Sequence, residues 1–232
     1  MSNAFFRALA SDAAVRYKPA GRFAYHFALG KLTRDPAFAH ILAHGLIPRG
    51  CRILDLGCGQ GLLAALLEVA RVRAAAWPAD FLPAPDPVAY QGIDVHAPDI
   101  ERATHAVDGI ARFVCGDVRH EPFDRADVVI LLDVLHYLDY GAQEDVLRRV
   151  RAALTDGGVL LLRVADASPT LRYRYTIAID RIMTTLRGRP IDRLHRRPRA
   201  TWVAALERLG FDVTAVPMSA GTPFANVLLV AR

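Results

Sequence analysis

Seven consecutive residues, Asp55-Leu56-Gly57-Cys58-Gly59-Gln60-Gly61, carry the strongest chemical signal in the chain. Alternating glycines permit a tight turn and let the backbone approach a ligand with no Cβ in the way. The turn follows the short run Cys51-Arg52-Ile53-Leu54 and precedes a strongly apolar helical stretch that begins near Gln60. A helix N-terminus placed there offers unsatisfied N–H groups and the positive end of the helix dipole. Both suit a carboxylate as well as a phosphate. A second acid, Asp94 in Gln91-Gly92-Ile93-Asp94, closes the next strand, where it can accept both hydroxyl protons of an adenosine ribose. A third, Asp117 in Cys115-Gly116-Asp117-Val118, follows the strand after that. Each acid alone reads as an ordinary strand-end or turn carboxylate. Together, at successive strand ends of one sheet, they read as a ligand site.

Such a site needs a parallel sheet to line up its strand ends. Apolar residues at mixed three- and four-residue spacing predict helices over 4–15, 22–32 and 36–46, with Asp35 before Pro36 as an N-cap followed by proline at the first helical position. Strands are expected at 90–95, 111–115, 127–132 and 158–164, and helices at 97–107 and 141–154. Alternation of this kind, with continuous apolar strands, predicts a parallel sheet covered on both faces. After a helical insertion over 169–209, strands at 211–217 and 224–231 joined by Met218-Ser219-Ala220-Gly221-Thr222-Pro223 read as an antiparallel hairpin. The fold class expected is α/β, a doubly wound, seven-stranded, mostly parallel sheet with a C-terminal antiparallel hairpin. The boundaries expected within a single domain of 1–232 are a helical cap at 1–50, a core at 51–165, a helical insertion at 166–200, and a closing helix with hairpin at 201–232. The Pro-rich stretch 77–87 is long for a helix-to-strand connection; a surface excursion is expected there rather than a lid.

The sequence ILDLGCGQG resembles motif I of class I S-adenosylmethionine (SAM)-dependent methyltransferases. The segment Gly116-Asp117 resembles that family's acidic turn after the third strand, and 127–137 its fourth strand with the following loop. Leu154-Thr155-Asp156-Gly157-Gly158 resembles its L-x-x-G-G turn. The resemblance covers roughly residues 50–165 and 198–232, and implies SAM as cofactor and S-adenosylhomocysteine as product. It implies a cofactor-binding set of Asp55, Gly57, Cys58, Gly59, Gly61, Asp94, Asp117, Val118 and Asp133. Asp55 would orient the loop or the methionine amino group. Asp117 would accept from the adenine amino group, and the Val118 N–H would reach the ring. The wide gap between Gly61 and Asp94 departs from the pattern, and the ribose assignment requires the Pro-rich loop to bulge outward. Two rivals stay open. Gly59-x-Gly61-x-x-Ala64 also satisfies the dinucleotide pattern of an NAD(P)-dependent oxidoreductase, although Lys18 and Lys31 are the only lysines and no Tyr-x-x-x-Lys pair exists. A non-catalytic SAM-binding protein is the other.

Methyl transfer from a sulfonium mainly requires holding donor and acceptor in line, plus a base where the acceptor is a hydroxyl. His136, after the fourth strand, is the first candidate base; His26, near Tyr17 and Tyr25 on the amino-terminal helices, is the second, and Asp166 the third. For the helix that carries His26, spacing predicts Phe23, Phe27 and Gly30 on the core face. The expected acceptor is a small molecule or a carrier-bound group, with oxygen as its reacting atom and secondary metabolism as its setting.

Charge and composition narrow the partners. Lys+Arg 29 against Asp+Glu 24 gives a formal charge of +5, and arginines collect at 172, 174, 181, 187, 189, 193, 196, 197 and 199. A solvated helix face is expected there, with an acyl carrier protein or an anionic membrane surface as the alternative partner. Nucleic acid is disfavoured, because no RNA-binding module or basic-aromatic platform accompanies the charge. Hydrophobic residues at 53% and charged residues at 23% give enough apolar matter for a core and exclude a disordered chain. Cys51, Cys58 and Cys115 show no metal-ligand spacing, so no metal is expected. The first residues lack an apolar leader core, and a cytoplasmic protein is the default.

Overall fold

The computed structural model describes residues 2–166, 194–219 and 225–232. One seven-stranded sheet runs in the order β3-β2-β1-β4-β5-β7-β6. Its strands are β1 (Arg52–Leu56), β2 (Ala89–Asp94), β3 (Ala111–Cys115), β4 (Ala126–Leu132), β5 (Leu154–Ala165), β6 (Val213–Pro217) and β7 (Asn226–Ala231). The first five pair in parallel, whereas β7 is antiparallel to both β5 and β6. Strand order reverses between β1 and β4, the point where open α/β sheets form a crevice beyond their carboxyl ends. The expected architecture, including the terminal hairpin, is observed.

Two cores sandwich the sheet. On one face α1 (Ser2–Val15), α2 (Arg22–Arg34), α3 (Pro36–Ala43) and α4 (Leu62–Val72) pack against Ile53, Val128, Ile130 and Leu161. On the other, α6 (Tyr140–Ala153) and α7 (Arg199–Arg208) cover Leu54, Val129, Leu131 and Leu160. Helix α5 (Ala97–Ala106) links β2 to β3. Helix α4 buries Leu62 through Leu67 without interruption, because α1 lies on its outer side. Among the described residues no helix is long and apolar enough to cross a membrane.

The structure departs from expectation in three places. In α2 the buried stripe is Ala24, Ala28 and Leu32, while Phe23 is 70% exposed and stacks on Phe27 at 6.2 Å. Alanines let α2 approach the alanine face of α1 closely, a fit that phenylalanine would prevent. The turn at Leu154-Thr155-Asp156-Gly157-Gly158 is absorbed into β5, which starts directly after α6. Its register against β4 slips between the Ala126↔Leu154 and Val128↔Val159 pairs, as a β-bulge does. Residues 194–198 are not helical, so the insertion expected at 166–200 is interrupted before α7; the rest of it, 167–193, lies outside the described residues. The Pro-rich stretch, expected as a surface excursion, is fastened at the amino end of the sheet. Trp77 meets Phe5 edge-on at 5.5 Å and donates to the Leu82 carbonyl, Leu82 N–H bonds Ala43, and Asp86 pairs with Arg49 at 3.0 Å. The extra length is therefore spent before β2 begins. Leu56 still faces Ile93, so Asp94 stands at the carboxyl edge beside the glycine turn.

Candidate functional site

The end of β1 opens into the glycine turn, and β2 holds it. Gly57 and Cys58 N–H both donate to the Ile93 carbonyl, at 2.7 and 3.1 Å, and Gly59 N–H donates to Asp94 Oδ2 at 2.9 Å. The other Asp94 oxygen accepts from the His96 amide at 2.9 Å. Each carboxylate oxygen has two lone pairs, so Asp94 fixes the turn and keeps acceptor capacity for a ribose. Gly57 sits at φ +77°, and a Cβ there would drive into Val134, just past β4. The turn and the β4 exit are thus in contact at the switch point. Gly61, at φ +71°, ends the turn and caps α4.

Behind the turn lies a buried polar cluster. The Tyr90 hydroxyl donates to Asp55, which is 5% exposed. Burial pushes the Asp55 carboxyl up to about 7; the Tyr90 bond opposes that rise and the Asp94 charge adds to it. Asp55 is thus bonded to the neighbouring strand β2, behind the loop. Burial, with the charges of Asp55 and Asp94, also raises the Cys58 thiol well above its ordinary range, and its Sγ leans on the Gly59 carbonyl at 3.5 Å. The cap reaches the same loop: Tyr17 OH donates to the Gln60 carbonyl at 2.7 Å, and Gln60 Nε2 donates to the Ala24 carbonyl at 3.4 Å.

The third acid stands one strand further. Asp94 pairs with Cys115 in register, and Gly116 N–H donates to the Asp94 carbonyl at 2.9 Å, which brings Asp117 to the same edge. Its carboxylate is gripped by Arg119, from the backbone N–H at 2.9 Å, Nε at 3.0 Å and Nη2 at 2.5 Å. These bonds hold it below the usual carboxylate range. Val118 is buried, and Arg149 of α6 braces the connection by donating to the carbonyls of Val118 and Arg119 at 2.9 Å and lying 4.1 Å over the Phe123 ring.

Beyond β4, Asp133 adopts the left-handed conformation (φ +63°), alone among the described non-glycine residues. Its carboxylate faces Arg163 of β5, which also binds Asp35, the N-cap of α3. Asp133 thus belongs to an ion network with Arg163, Lys31 and Asp35. His136 follows in a short 3-10 turn, 7% exposed, and among the described residues its Nε2 has no hydrogen-bond partner. Burial lowers its imidazole to about 4; Asp133 pulls the other way, while Arg196 and Arg163 add to the lowering. That shift favours the neutral imidazole across the physiological range.

Other expected residues fall elsewhere. His26 is exposed on α2, its ring edge-on to Tyr25 at 5.0 Å, and no hydrogen bond or ion pair among the described residues ties it to the turn or to His136. Asp166 accepts from the Arg199 amide at 3.2 Å, at the start of α7. Arg197 is not on a solvated face. It is 8% exposed, paired with Glu144 at 2.5 Å and set 5.1 Å over the rings of both Tyr140 and Trp202. Arginines 172, 174, 181, 187, 189 and 193 lie outside the described residues. Sequence reasoning passed over Tyr90, Arg149 and Arg163. Only Arg163 left a signal, as a charge inside the apolar run Leu160-Leu161-Leu162-Arg163-Val164. Among the described residues no group of three or more His, Cys, Asp or Glu is arranged to hold a metal ion.

Comparison with known proteins agrees with this geometry. Residues 24–216 match the family model of a methyltransferase domain. Over 116 residues the chain is 28% identical to the carboxy-S-adenosyl-L-methionine synthase of Hydrogenovibrio crunogenus, covering 48% of this chain and 41% of that protein. Over 109 residues it is 34% identical to the tetracenomycin polyketide synthesis 8-O-methyl transferase of Streptomyces glaucescens, covering 47% and 29% respectively. The chain thus spans less than half the length of these relatives. A solved O-methyltransferase family protein from Burkholderia thailandensis has the same fold, with a TM-score of 0.62 at 20% identity over 94% of this chain and 61% of that one. With the glycine turn, the Asp94 anchor and a family match that runs over most of its length, the chain belongs to the methyltransferase-domain family, and its cofactor is SAM.

Proposed function

We propose that the protein transfers the methyl group of SAM to a hydroxyl oxygen of a small-molecule acceptor, with His136 as the proton acceptor. The observation that carries the reading is the His136 side chain: buried, neutral, with an orphan Nε2, and placed just beyond the β4 exit that touches the glycine turn. A buried imidazole nitrogen without a partner is costly unless a ligand supplies one. The carbon of a bound sulfonium methyl is electrophilic and needs no further activation. The chain's own tasks are then orientation and proton removal. Gly57, Cys58, Gly59 and Gly61 give the backbone access to the cofactor, Asp94 takes the ribose hydroxyls, and Asp117 with Val118 takes the adenine edge. As an oxygen acceptor becomes alkylated its proton turns strongly acidic, so a weakly basic imidazole suffices to receive it. The exposed position of His26 argues against a share in that step. The relationship to a polyketide 8-O-methyl transferase supports oxygen as the acceptor atom and secondary metabolism as the setting. A carrier-bound acceptor or an anionic membrane surface extends the same reading, and rests on the arginines of the insertion.

The test has two stages. Calorimetry with SAM and S-adenosylhomocysteine, with NADH as control, is expected to give micromolar binding of both sulfur ligands and none of NADH. Asp94→Ala is expected to weaken both by about 10- to 100-fold, the loss of hydrogen bonds to a charged acceptor. A panel of phenols and hydroxylated aromatics is then screened for transfer of labelled methyl, and His136→Gln should lower kcat by roughly 10²- to 10⁴-fold. Tight NADH binding with no response to SAM would restore the oxidoreductase rival. SAM binding without turnover on any acceptor would favour a non-catalytic protein.

A further inference from the structure

Gln143 lies where the pattern of α6 calls for an apolar residue. Positions 143, 146, 147 and 150 form one buried stripe, and the other three are Val146, Leu147 and Val150. Gln143 is 0% exposed, and a polar group in a core is costly unless it is hydrogen-bonded. Pattern and residue type disagree at this position, as they do where a side chain serves more than packing.

The amide nitrogen supplies the reason. Nε2 donates to the carbonyls of Leu135 and Leu138, both at 3.0 Å, and to that of His195 at 2.7 Å. Its two hydrogens are shared among three acceptors. Among the described residues Oε1 has no partner, so the side chain works as a donor. Leu135 and Leu138 flank His136: one opens its 3-10 turn and the other caps it. The third carbonyl leads to the same turn, because the His195 N–H donates to the His136 carbonyl at 2.9 Å. One side chain thus ties the turn down at two carbonyls directly and, through His195, at the carbonyl of His136 itself. The His195 segment is fastened in turn to the first turns of α6, where Arg197 bonds Glu144 Oε1 at 2.5 Å and the Tyr140 carbonyl at 3.1 Å.

A 3-10 turn of three residues is a weak element by itself. Two backbone bonds close this one, Tyr137 N–H to Val134 and Leu138 N–H to Leu135, each at 3.0 Å. Among the described residues no hydrogen bond holds His136 Nε2 either, so the place of that nitrogen follows from the turn and from the Tyr137 ring, 4.1 Å from its own. We propose that Gln143 is a positioning residue for His136: by holding the carbonyls of Leu135, Leu138 and His195 it sets the turn that presents Nε2 to the acceptor. The proposal rests on the reading of His136 as the proton acceptor. A misplacement of about 1 Å costs a reacting group about 10²-fold in rate, whereas cofactor affinity depends on the glycine turn and Asp94 and is left alone.

The experiment uses the full chain with S-adenosylhomocysteine bound and follows the His136 Cε1–H resonance by NMR, assigned with His136→Gln. Gln143→Met fills a similar space without a donor. It should move or split that resonance and weaken its cross-relaxation to the Tyr137 ring, while S-adenosylhomocysteine affinity in calorimetry stays within about twofold of wild type. On a phenol that accepts labelled methyl, kcat should fall about 10- to 100-fold. Added to His136→Gln, the same change should cost no more than about twofold further, because a residue that acts through another has nothing left to act on. If Gln143→Met does not fold, Gln143→Asn is read in its place; it carries the same amide on a stem too short to reach all three carbonyls. A side chain that only fills the core would lower the melting temperature and leave the resonance and its cross-relaxation in place. That outcome in a folded variant overturns the proposal and leaves the base role of His136 intact, as does an equal cost of Gln143→Met with and without His136. Full methyl transfer by His136→Gln removes the base role itself, and with it the reading on which this one stands.

Discussion

The contributions of Asp55 and His136 to wild-type stability should nearly cancel between pH 4 and 6.5, because they run in opposite directions. Burial raises Asp55 from 3.8 to about 7, so the folded state holds that proton more tightly than the unfolded chain does. Its contribution is complete below pH 4 and is lost as pH climbs through 7. A difference of about three pH units corresponds to about 4 kcal/mol. His136 runs the other way. Burial lowers it from 6.5 to about 4, so its contribution is complete above pH 6.5 and is lost as pH falls through 4, a difference of about 3 kcal/mol. Both side chains are more than nine-tenths buried, so solvent screening does little to reduce either figure.

Between pH 4 and 6.5 each group changes stability by up to about 1.4 kcal/mol per pH unit, with opposite sign. Single substitutions uncover what the wild type conceals. Asp55→Asn keeps an acceptor for the Tyr90 hydroxyl and cannot ionise, so its stability relative to wild type should rise with pH across the window by about 3 kcal/mol. His136→Gln should show the mirror image, falling relative to wild type by a similar amount. The assay is urea unfolding followed by far-UV circular dichroism at half-unit steps from pH 4.5 to 7.5, with m held common to the three proteins. If both variants track wild type in parallel, the burial argument is wrong for both groups. If only one departs, the argument is wrong for the other.

Two further perturbations probe the edges of the site. Arg119 is half-exposed and occupies the carboxylate that adenine is proposed to use. Exposed ion pairs are worth at most about 1 kcal/mol, so Arg119→Ala should tighten S-adenosylhomocysteine binding by up to about fivefold in calorimetry; weaker binding would remove Asp117 from the adenine site. Trp77→Ala breaks the edge-on contacts with Phe5 and Phe81 and the bond to the Leu82 carbonyl. It should lower stability by about 1–3 kcal/mol and leave cofactor affinity unchanged, whereas a lid would give the reverse pattern.

Legibility in the sequence followed the range of the interaction. The glycine turn, Asp94 and Asp117 could be placed because each is fixed by its own strand end, and parallel pairing carries the three to one edge without side-chain detail. Asp35 could be placed as a cap because its partner, the Ala37 amide, is two residues away. What escaped was whatever depended on distant partners. Tyr90 reaches Asp55 across 35 positions, and Arg163 reaches Asp35 across 128. The stripe on α2 was misjudged for a related reason. Helical spacing identifies a face, but the alanines of α1 decide which face can be approached, and they favoured Ala24 and Ala28 over Phe23.

The same distinction separates the two halves of the site. The cofactor contacts proposed here come from backbone turns and strand-end acids, which a local pattern can specify. On the proposed acceptor side, burial holds His136 low, with Arg196 and Arg163 adding to the lowering, and Arg163 is itself paired with Asp35, the cap residue between α2 and α3. On the proposed reading, the acceptor side therefore depends on long-range pairings, whereas the cofactor side depends on local ones.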